Sequence, residues 1–282
     1  MCMIQHYCKP SLITQNMNRN KNTFVALQNI ALVTFLLAIT LAVSSCSGAI
    51  TIDGITFGPQ RKPNTVVIVG NDHPNYHAAG SVNWSGYIVR ARDVTRISAE
   101  WQTPQVSEPV NSDSSTWVGI GGVAPSPSLI QAGTDQQVVN GKPYYYAWIE
   151  TLPSAPKPIS QINLLPGDEM SVSIVNIGVN TWQITVNDKT SGQLFTETLN
   201  YASCLCSAEW IEEAPSVNVN HPIMANYHSV TFTNAAYMRE GKSLALGDAA
   251  EQAVKLVSQD GQTISQPQIL DSSSMFSVVY IG

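Results

Sequence analysis

Charge is scarce in this chain of 282 residues: 12% of positions are Asp, Glu, Lys or Arg, against 44% hydrophobic ones, and no basic patch stands out. So few cations exclude a nucleic-acid-binding surface, and so high an apolar share excludes a disordered chain. The common motifs of hydrolases and nucleotide enzymes are also missing. There is no Gly-x-Ser-x-Gly elbow, no His-Glu-x-x-His, no Gly-rich phosphate loop and no paired Asp-Thr-Gly segments. The chain holds five His: His6, His73 and His77 lie near the N-terminus, and His221 and His228 flank a strand-like run. Structural or solvated roles fit all five. Neither metal nor cofactor is expected, because no cluster of His and Cys has ligand spacing. No internal repeat is present, which excludes a propeller or solenoid. Any chemistry must therefore come from carboxylates and amides.

Cysteine does not supply a disulfide framework. Cys2 and Cys8 precede the longest apolar run, Phe24 to Val43, which follows Lys9, Arg19 and Lys21 and ends in Ser44-Ser45-Cys46-Ser47-Gly48. That order of cationic, apolar and small residues is an export signal. The run is also about long enough to cross a bilayer, for which roughly 20 residues are needed, so an uncleaved anchor is the competing reading. Val43-Ser44-Ser45-Cys46 resembles the lipobox of bacterial lipoproteins, which implies cleavage before Cys46 and lipidation of its thiol. Cys204 and Cys206 remain. They are one residue apart, and two free, partly buried thiols are expected there because a bridge across so small a loop is strained.

This divides the chain into a leader, 1–45, a tether or pro-segment, 46–80, rich in Gly, Pro, Asn and His, and a domain over 81–282. Without its first 45 residues the chain keeps 11 basic and 20 acidic residues, a net charge of −9. Such a surface stays soluble near neutrality and suits an acidic milieu. The expected location is extracellular or on the cell envelope, with membrane contact only through the N-terminal lipid or apolar anchor, and a monomer is expected.

After residue 80 the pattern is strand-like almost throughout. Short runs rich in β-branched and aromatic residues recur at Tyr87–Val89, Ile97–Trp101, Thr116–Ile120, Tyr144–Ile149, Met170–Ile174, Trp182–Val186 and Leu194–Leu199. They continue at Ala208–Ile211, Ser229–Thr233, Ala253–Val257 and Phe276–Ile281. Turn signals separate them at Leu165-Pro166-Gly167-Asp168, Val186-Asn187-Asp188, Ser191-Gly192 and Asp260-Gly261. Only Asp248–Leu256 invites a helical reading, and Thr65–Val69 allows one strand in the tether. The predicted fold is all-β, a sandwich of two antiparallel sheets.

Five segments carry the functional signal: Asn83-Trp84-Ser85-Gly86, Trp117-Val118-Gly119-Ile120-Gly121-Gly122, Leu129-Ile130-Gln131-Ala132-Gly133, Tyr145-Tyr146-Ala147-Trp148-Ile149-Glu150 and Ala208-Glu209-Trp210-Ile211-Glu212-Glu213. In order and in register they resemble the blocks of the glutamic peptidases, or eqolisins, over roughly Ser81 to Gly282. The resemblance implies two long, bent sheets (a concanavalin A-like sandwich) with a catalytic pair on the concave side, Gln131 and Glu213. It places Trp84, Trp117 and Glu150 along the cleft, and we add Glu209 as a substrate-side candidate. The implied activity is acid endopeptidase action on polypeptides. Two positions depart from the fungal pattern: Gly121 and Tyr146 stand where an Asp is found.

The chemistry is intelligible from the residue types. A carboxylate such as Glu213 can take a proton from an attacking water and return it to the departing amine. The amide of Gln131 can donate an N–H to the developing oxyanion at any pH, because it does not titrate. Glu209 and Glu213 share a face of one strand about 13 Å apart, beyond the ~5 to 9.5 Å of glycosidase carboxylate pairs. The alternatives are a lectin-like carbohydrate-binding module, since Trp84, Trp117, Trp148 and Trp210 could form an aromatic platform, and a non-catalytic peptide-binding surface lipoprotein.

Overall fold

The computed structural model describes residues 50–52, 55–57, 78–215 and 223–282. The chain divides into two units, Met1–Cys46 and Ser47–Gly282, and every described residue belongs to the second. The leader, the lipobox with Cys46, the run Thr65–Val69 and three of the N-terminal expectations for His (His6, His73, His77) lie outside the described residues, as does His221.

Strands account for almost all regular structure. In chain order they are β1 (Ile50–Ile52), β2 (Ile55–Phe57), β3 (Ala79–Ser81), β4 (Trp84–Arg90), β5 (Val94–Gln102), β6 (Ser112–Gly121), β7 (Leu129–Val139), β8 (Lys142–Thr151) and β9 (Lys157–Pro158). There follow β10 (Glu169–Gly178), β11 (Thr181–Asp188), β12 (Gln193–Asn200), β13 (Ser207–Glu213), β14 (Ser229–Arg239), β15 (Lys242–Ala245), β16 (Glu251–Val257), β17 (Thr263–Pro267) and β18 (Phe276–Tyr280). Among the described residues β1 and β2 pair only with each other, and β3, which crosses the 80/81 boundary read from the sequence, pairs in parallel with β16.

The remaining strands form one hydrogen-bonded path folded into the two layers of the sandwich. One layer runs β12-β11-β10-β5-β14 and the other β18-β17-β16-β4-β13-β6-β7-β8-β9. β14 belongs to both: Ser229–Phe232 pairs with β18 and Thr233–Arg239 with β5. The change of partner coincides with a register shift after Thr233 and with Asn234 at φ 52°, a left-handed residue that turns the strand. β10 and β11 alternate buried and more exposed positions, as strands with one solvated face do. β6 and β13 are buried at every position and β7 at all but the last. Both faces of this central trio are therefore covered.

Between the layers lies the main core, where Trp210 Nε1 donates to the Ser98 carbonyl at 3.1 Å and Trp101 Nε1 to Thr134 Oγ1 at 3.0 Å. A second, smaller cluster, which includes Trp84, Trp117, Tyr146, Trp148 and Ile211, covers the opposite face of the trio. The β7–β8 hairpin has a two-residue turn, Asn140-Gly141, with both residues at positive φ. That turn pairs Val139 with Lys142, and counting back along the ladder brings Gln131 opposite Glu150.

Three local expectations are corrected. Asp248–Leu256 is not a helix: a single 3-10 turn, Leu246–Asp248, leads into β16, because Ala253, Val254, Leu256 and Val257 bury themselves in a sheet. Val186–Asp188 is the end of β11 rather than a turn, and the chain reverses after it, where the Asp188 carboxylate accepts from the Thr190 and Ser191 N–H groups. Cys204 and Cys206 are not free thiols but a disulfide. Leu205 between them is left-handed, φ 53°, which brings their Cα atoms to 5.1 Å, within bridging range.

The inter-layer face of β13 also carries a carboxyl, Glu212, wholly buried. Thr116 Oγ1 donates to its Oε2 at 2.6 Å, and burial pushes its pKa up to about 8, with the nearby Asp135 and Glu213 carboxylates adding to the rise. Glu212 is thus protonated in the fold where the unfolded chain would release its proton from about pH 4.5 upward. Since the raised pKa belongs to the folded state, stability is undiminished below pH 4.5 and falls between pH 4.5 and 8, by a few kcal/mol in order of magnitude. Thermal unfolding at pH 4 and pH 8 should show this drop, and Glu212→Gln should at least halve it. An undiminished drop in that variant would place the pH sensitivity elsewhere.

Candidate active site

The register of four adjacent strands builds the site. Glu209 of β13 lies opposite Gly119 of β6, Gly119 opposite Gln131 of β7, and Gln131 opposite Glu150 of β8. Two residues along, Ile211, Trp117, Gly133 and Trp148 make the next row on the same face, and Glu213, Ser115, Asp135 and Tyr146 the row after. The catalytic candidates Gln131 and Glu213 therefore share one face of one sheet, separated by two strands and two rows. Trp117 bridges that interval. Its Nε1 donates to Glu213 Oε2 at 2.8 Å, while its Cζ3 lies over Gly119, where a Cβ would sit 2.9 Å from it and 3.2 Å from Gln131 Cβ.

Each candidate group is held by a neutral or carboxylate partner. Glu213 Oε1 accepts from Asn83 Nδ2 at 2.9 Å, so both of its oxygens are fixed by donors that carry no charge. Asn83 lay inside the first sequence block without being singled out, and its place directly before Trp84, which pairs with Glu213, is the signal for it. Gln131 Nε2 donates to Glu150 Oε2 in a very short contact, and Gln131 Oε1 is buried without a hydrogen-bond partner. Glu150 thus binds the amide of Gln131 directly, a role finer than lining a cleft.

Solvent access is lower than a groove read from sequence suggests. Gln131 is 0% exposed, Glu213 1% and Glu150 2%. Trp84 is packed edge-on against Trp117 with centroids 5.0 Å apart, so these two residues are core and site wall at once. Glu209 is also fully buried. Desolvation raises its pKa well above the ordinary carboxyl range, against weaker lowering by Ser207, Arg90 and the Gly121 backbone, and the group is therefore neutral under acidic conditions. A cavity of about 230 Å³ opens beside Glu150, lined also by Ile149, Ser154, Lys157 and Glu197. Among the described residues no group of three or more His, Cys, Asp or Glu could hold a metal ion.

The two departures from the fungal pattern have structural counterparts. Gly121 has φ +98°, and a Cβ there would lie 2.2 Å from the Ser128 carbonyl oxygen, so this backbone has no room for Asp. Tyr146 is buried and its hydroxyl accepts from Gln137 Nε2 at 3.3 Å.

Comparison with known proteins gives one consistent answer. The model of the Peptidase A4 family matches residues 82–280. Aspergillopepsin-2 of Aspergillus niger is 28% identical over 225 residues, 71% of this chain and 78% of that protein. Scytalidopepsin B of Scytalidium lignicola is 28% identical over 189 residues, 63% and 72% of the two chains. Among solved structures, scytalido-glutamic peptidase with a transition-state analogue inhibitor superposes with a TM-score of 0.64 at 24% identity, covering 71% of this chain and 98% of that one. Aspergilloglutamic peptidase from Aspergillus niger gives 0.55 at 29% identity, covering 60% and 99%.

Restoring the fungal residue at position 121 should do harm rather than good. A side chain at that φ costs on the order of 1–3 kcal/mol before the clash with Ser128 is counted. Gly121→Asp is expected to lower the thermal midpoint by several degrees, measured by circular dichroism. An unchanged midpoint would mean that the 121–128 loop adapts freely.

Proposed function

We propose, for a chain that belongs to the Peptidase A4 family and is therefore a hydrolase of peptide bonds, that Glu213 and Gln131 carry out the hydrolysis as an acid endopeptidase. Glu213 serves as general base, taking a proton from the water that attacks the scissile carbonyl, and then as general acid toward the departing amine. Gln131 stabilises the oxyanion by donating an N–H: one is committed to Glu150, and the amide has a second. The scissile bond is to be held between the two groups, on the face of the sheet that also carries Trp117, Trp84 and Glu209.

The observation that supports this reading best is the setting of Glu213. Both of its oxygens accept from uncharged donors, Asn83 and Trp117, which orient the carboxylate. An oriented carboxylate beside a non-titrating amide is what a one-base, one-oxyanion-donor hydrolysis requires. The acidic working range is supported by two neutral buried carboxyls, Glu209 and Glu212, whose raised pKa values make the fold steadiest at low pH. The export signal and the lipobox at Cys46 support an exported, lipid-anchored form acting on polypeptides outside the cell.

Digestion of a denatured protein between pH 2 and 7 tests the assignment. Glu213→Gln and Gln131→Ala should each lower turnover by at least 10²-fold, a loss in keeping with removal of a general base or an oxyanion donor, while the far-ultraviolet spectrum stays native. Metal chelators and reagents for serine or cysteine nucleophiles should leave the wild-type rate unchanged. Near-normal turnover in either variant, or inhibition by a chelator, would overturn the roles given to these residues.

A further inference from the structure

The ladder between β7 and β8 ends just beyond the Gln131–Glu150 pair. In an antiparallel pair of this kind, facing residues exchange two backbone hydrogen bonds. Leu129 and Leu152, two positions along from Gln131 and Glu150, are the next such pair, and Leu152 N donates to Leu129 O at 2.9 Å. The reciprocal bond runs through a side chain. Leu129 N donates to the Tyr201 hydroxyl at 2.7 Å, and that hydroxyl donates to Leu152 O at 2.9 Å. One hydroxyl oxygen thus closes the end of the ladder, one hydrogen-bonded pair beyond the candidate catalytic amide.

Tyr201 is well placed to hold that closure. Its backbone is anchored on the other layer, with Tyr201 N donating to Asn180 O at 2.8 Å and Trp182 Nε1 to Tyr201 O at 3.0 Å. The segment after it is closed by the Cys204–Cys206 disulfide and tied to the β6–β7 connection, where Cys204 N donates to Ser128 Oγ at 3.0 Å. Burial raises the phenol pKa above its ordinary value, so the hydroxyl keeps the proton that it donates to Leu152.

We propose that Tyr201 is a positioning residue for the hydrolysis: its hydroxyl, inserted between Leu129 and Leu152, sets the separation of the strands at Gln131 and Glu150 and hence the aim of the Gln131 amide. This rests on the catalytic reading of Gln131. The segment from Tyr201 to Cys206 then acts as a strap by which one layer of the sandwich adjusts the site on the other.

The test is steady-state cleavage of an internally quenched peptide by the full chain carrying Tyr201→Phe, Glu150→Gln, both together, or Gln131→Ala. Tyr201→Phe keeps the ring and removes both hydrogen bonds. It should lower kcat about tenfold with KM within twofold of wild type and the thermal midpoint within a few degrees. In the Glu150→Gln background the same change should cost less than twofold, since both act through one amide. Should Tyr201→Phe not fold, O-methyltyrosine at position 201, which cannot donate to Leu152, is expected to show the same kcat loss. An unchanged kcat, or a loss that multiplies fully with that of Glu150→Gln, overturns the proposal. If Gln131→Ala is inactive while Tyr201→Phe works normally, the Tyr201 role alone fails. If Gln131→Ala keeps its turnover, the catalytic reading fails and this one with it.

Discussion

A polar side chain on a strand covered on both faces has no water to turn to, and must find its partners on neighbouring strands. That constraint governs the three central strands of this protein. On one face it joins Asn83 and Trp117 to Glu213 and Glu150 to Gln131. On the other it joins Thr116 to Glu212 and Trp101 to Thr134. Each contact crosses strands, so strand register and side-chain chemistry cannot be varied separately. A slip of one residue would send every one of these groups to the opposite face.

The carboxyls on β13 show how one strand can hold acids in different surroundings. Glu212 points between the layers, where desolvation outweighs its bond from Thr116. Glu209 is buried on the other face, and there too desolvation is the largest influence. Glu213, four residues along from Glu209, receives two donors and is the carboxyl that the proposed chemistry uses. Burial raises the pKa of both Glu209 and Glu212, and it ties the stability of the fold to acidic conditions.

The aromatic residues serve a related purpose. Trp117 is a donor to Glu213, a packing partner of Trp84 and the cover over Gly119. A site assembled this way is rigid because the residues that orient it are themselves packed. It also leaves Gln131, Glu150 and Glu213 shielded from solvent, where charge interactions are strong. At the two positions where the resemblance to the glutamic peptidases implies an Asp, the chain has the positive-φ backbone of Gly121 and the buried Tyr146.

Much of this was legible before any coordinates. Alternating β-branched and aromatic runs marked most strands, because burial on one face of a sheet demands that period, and five ordered blocks marked the family, with Gln131 and Glu213 as candidates. The pairing of Gln131 with Glu150 can be counted from the two-residue turn Asn140-Gly141, which was not among the signals read from the sequence. The strand β7 was not marked as one, because Leu129–Val139 is mostly small and polar and is buried by its neighbours rather than by its own hydrophobicity. The sequence alone determined most of the strand content and the family to which the chain belongs, which depend on residue type and local spacing. Tertiary structure alone decided that Asn83 and Trp117 hold Glu213, that a disulfide closes Cys204 to Cys206, and that Tyr201 caps the ladder beyond Gln131. Those are contacts between residues far apart in the chain or set by backbone angles, and no local pattern specifies them.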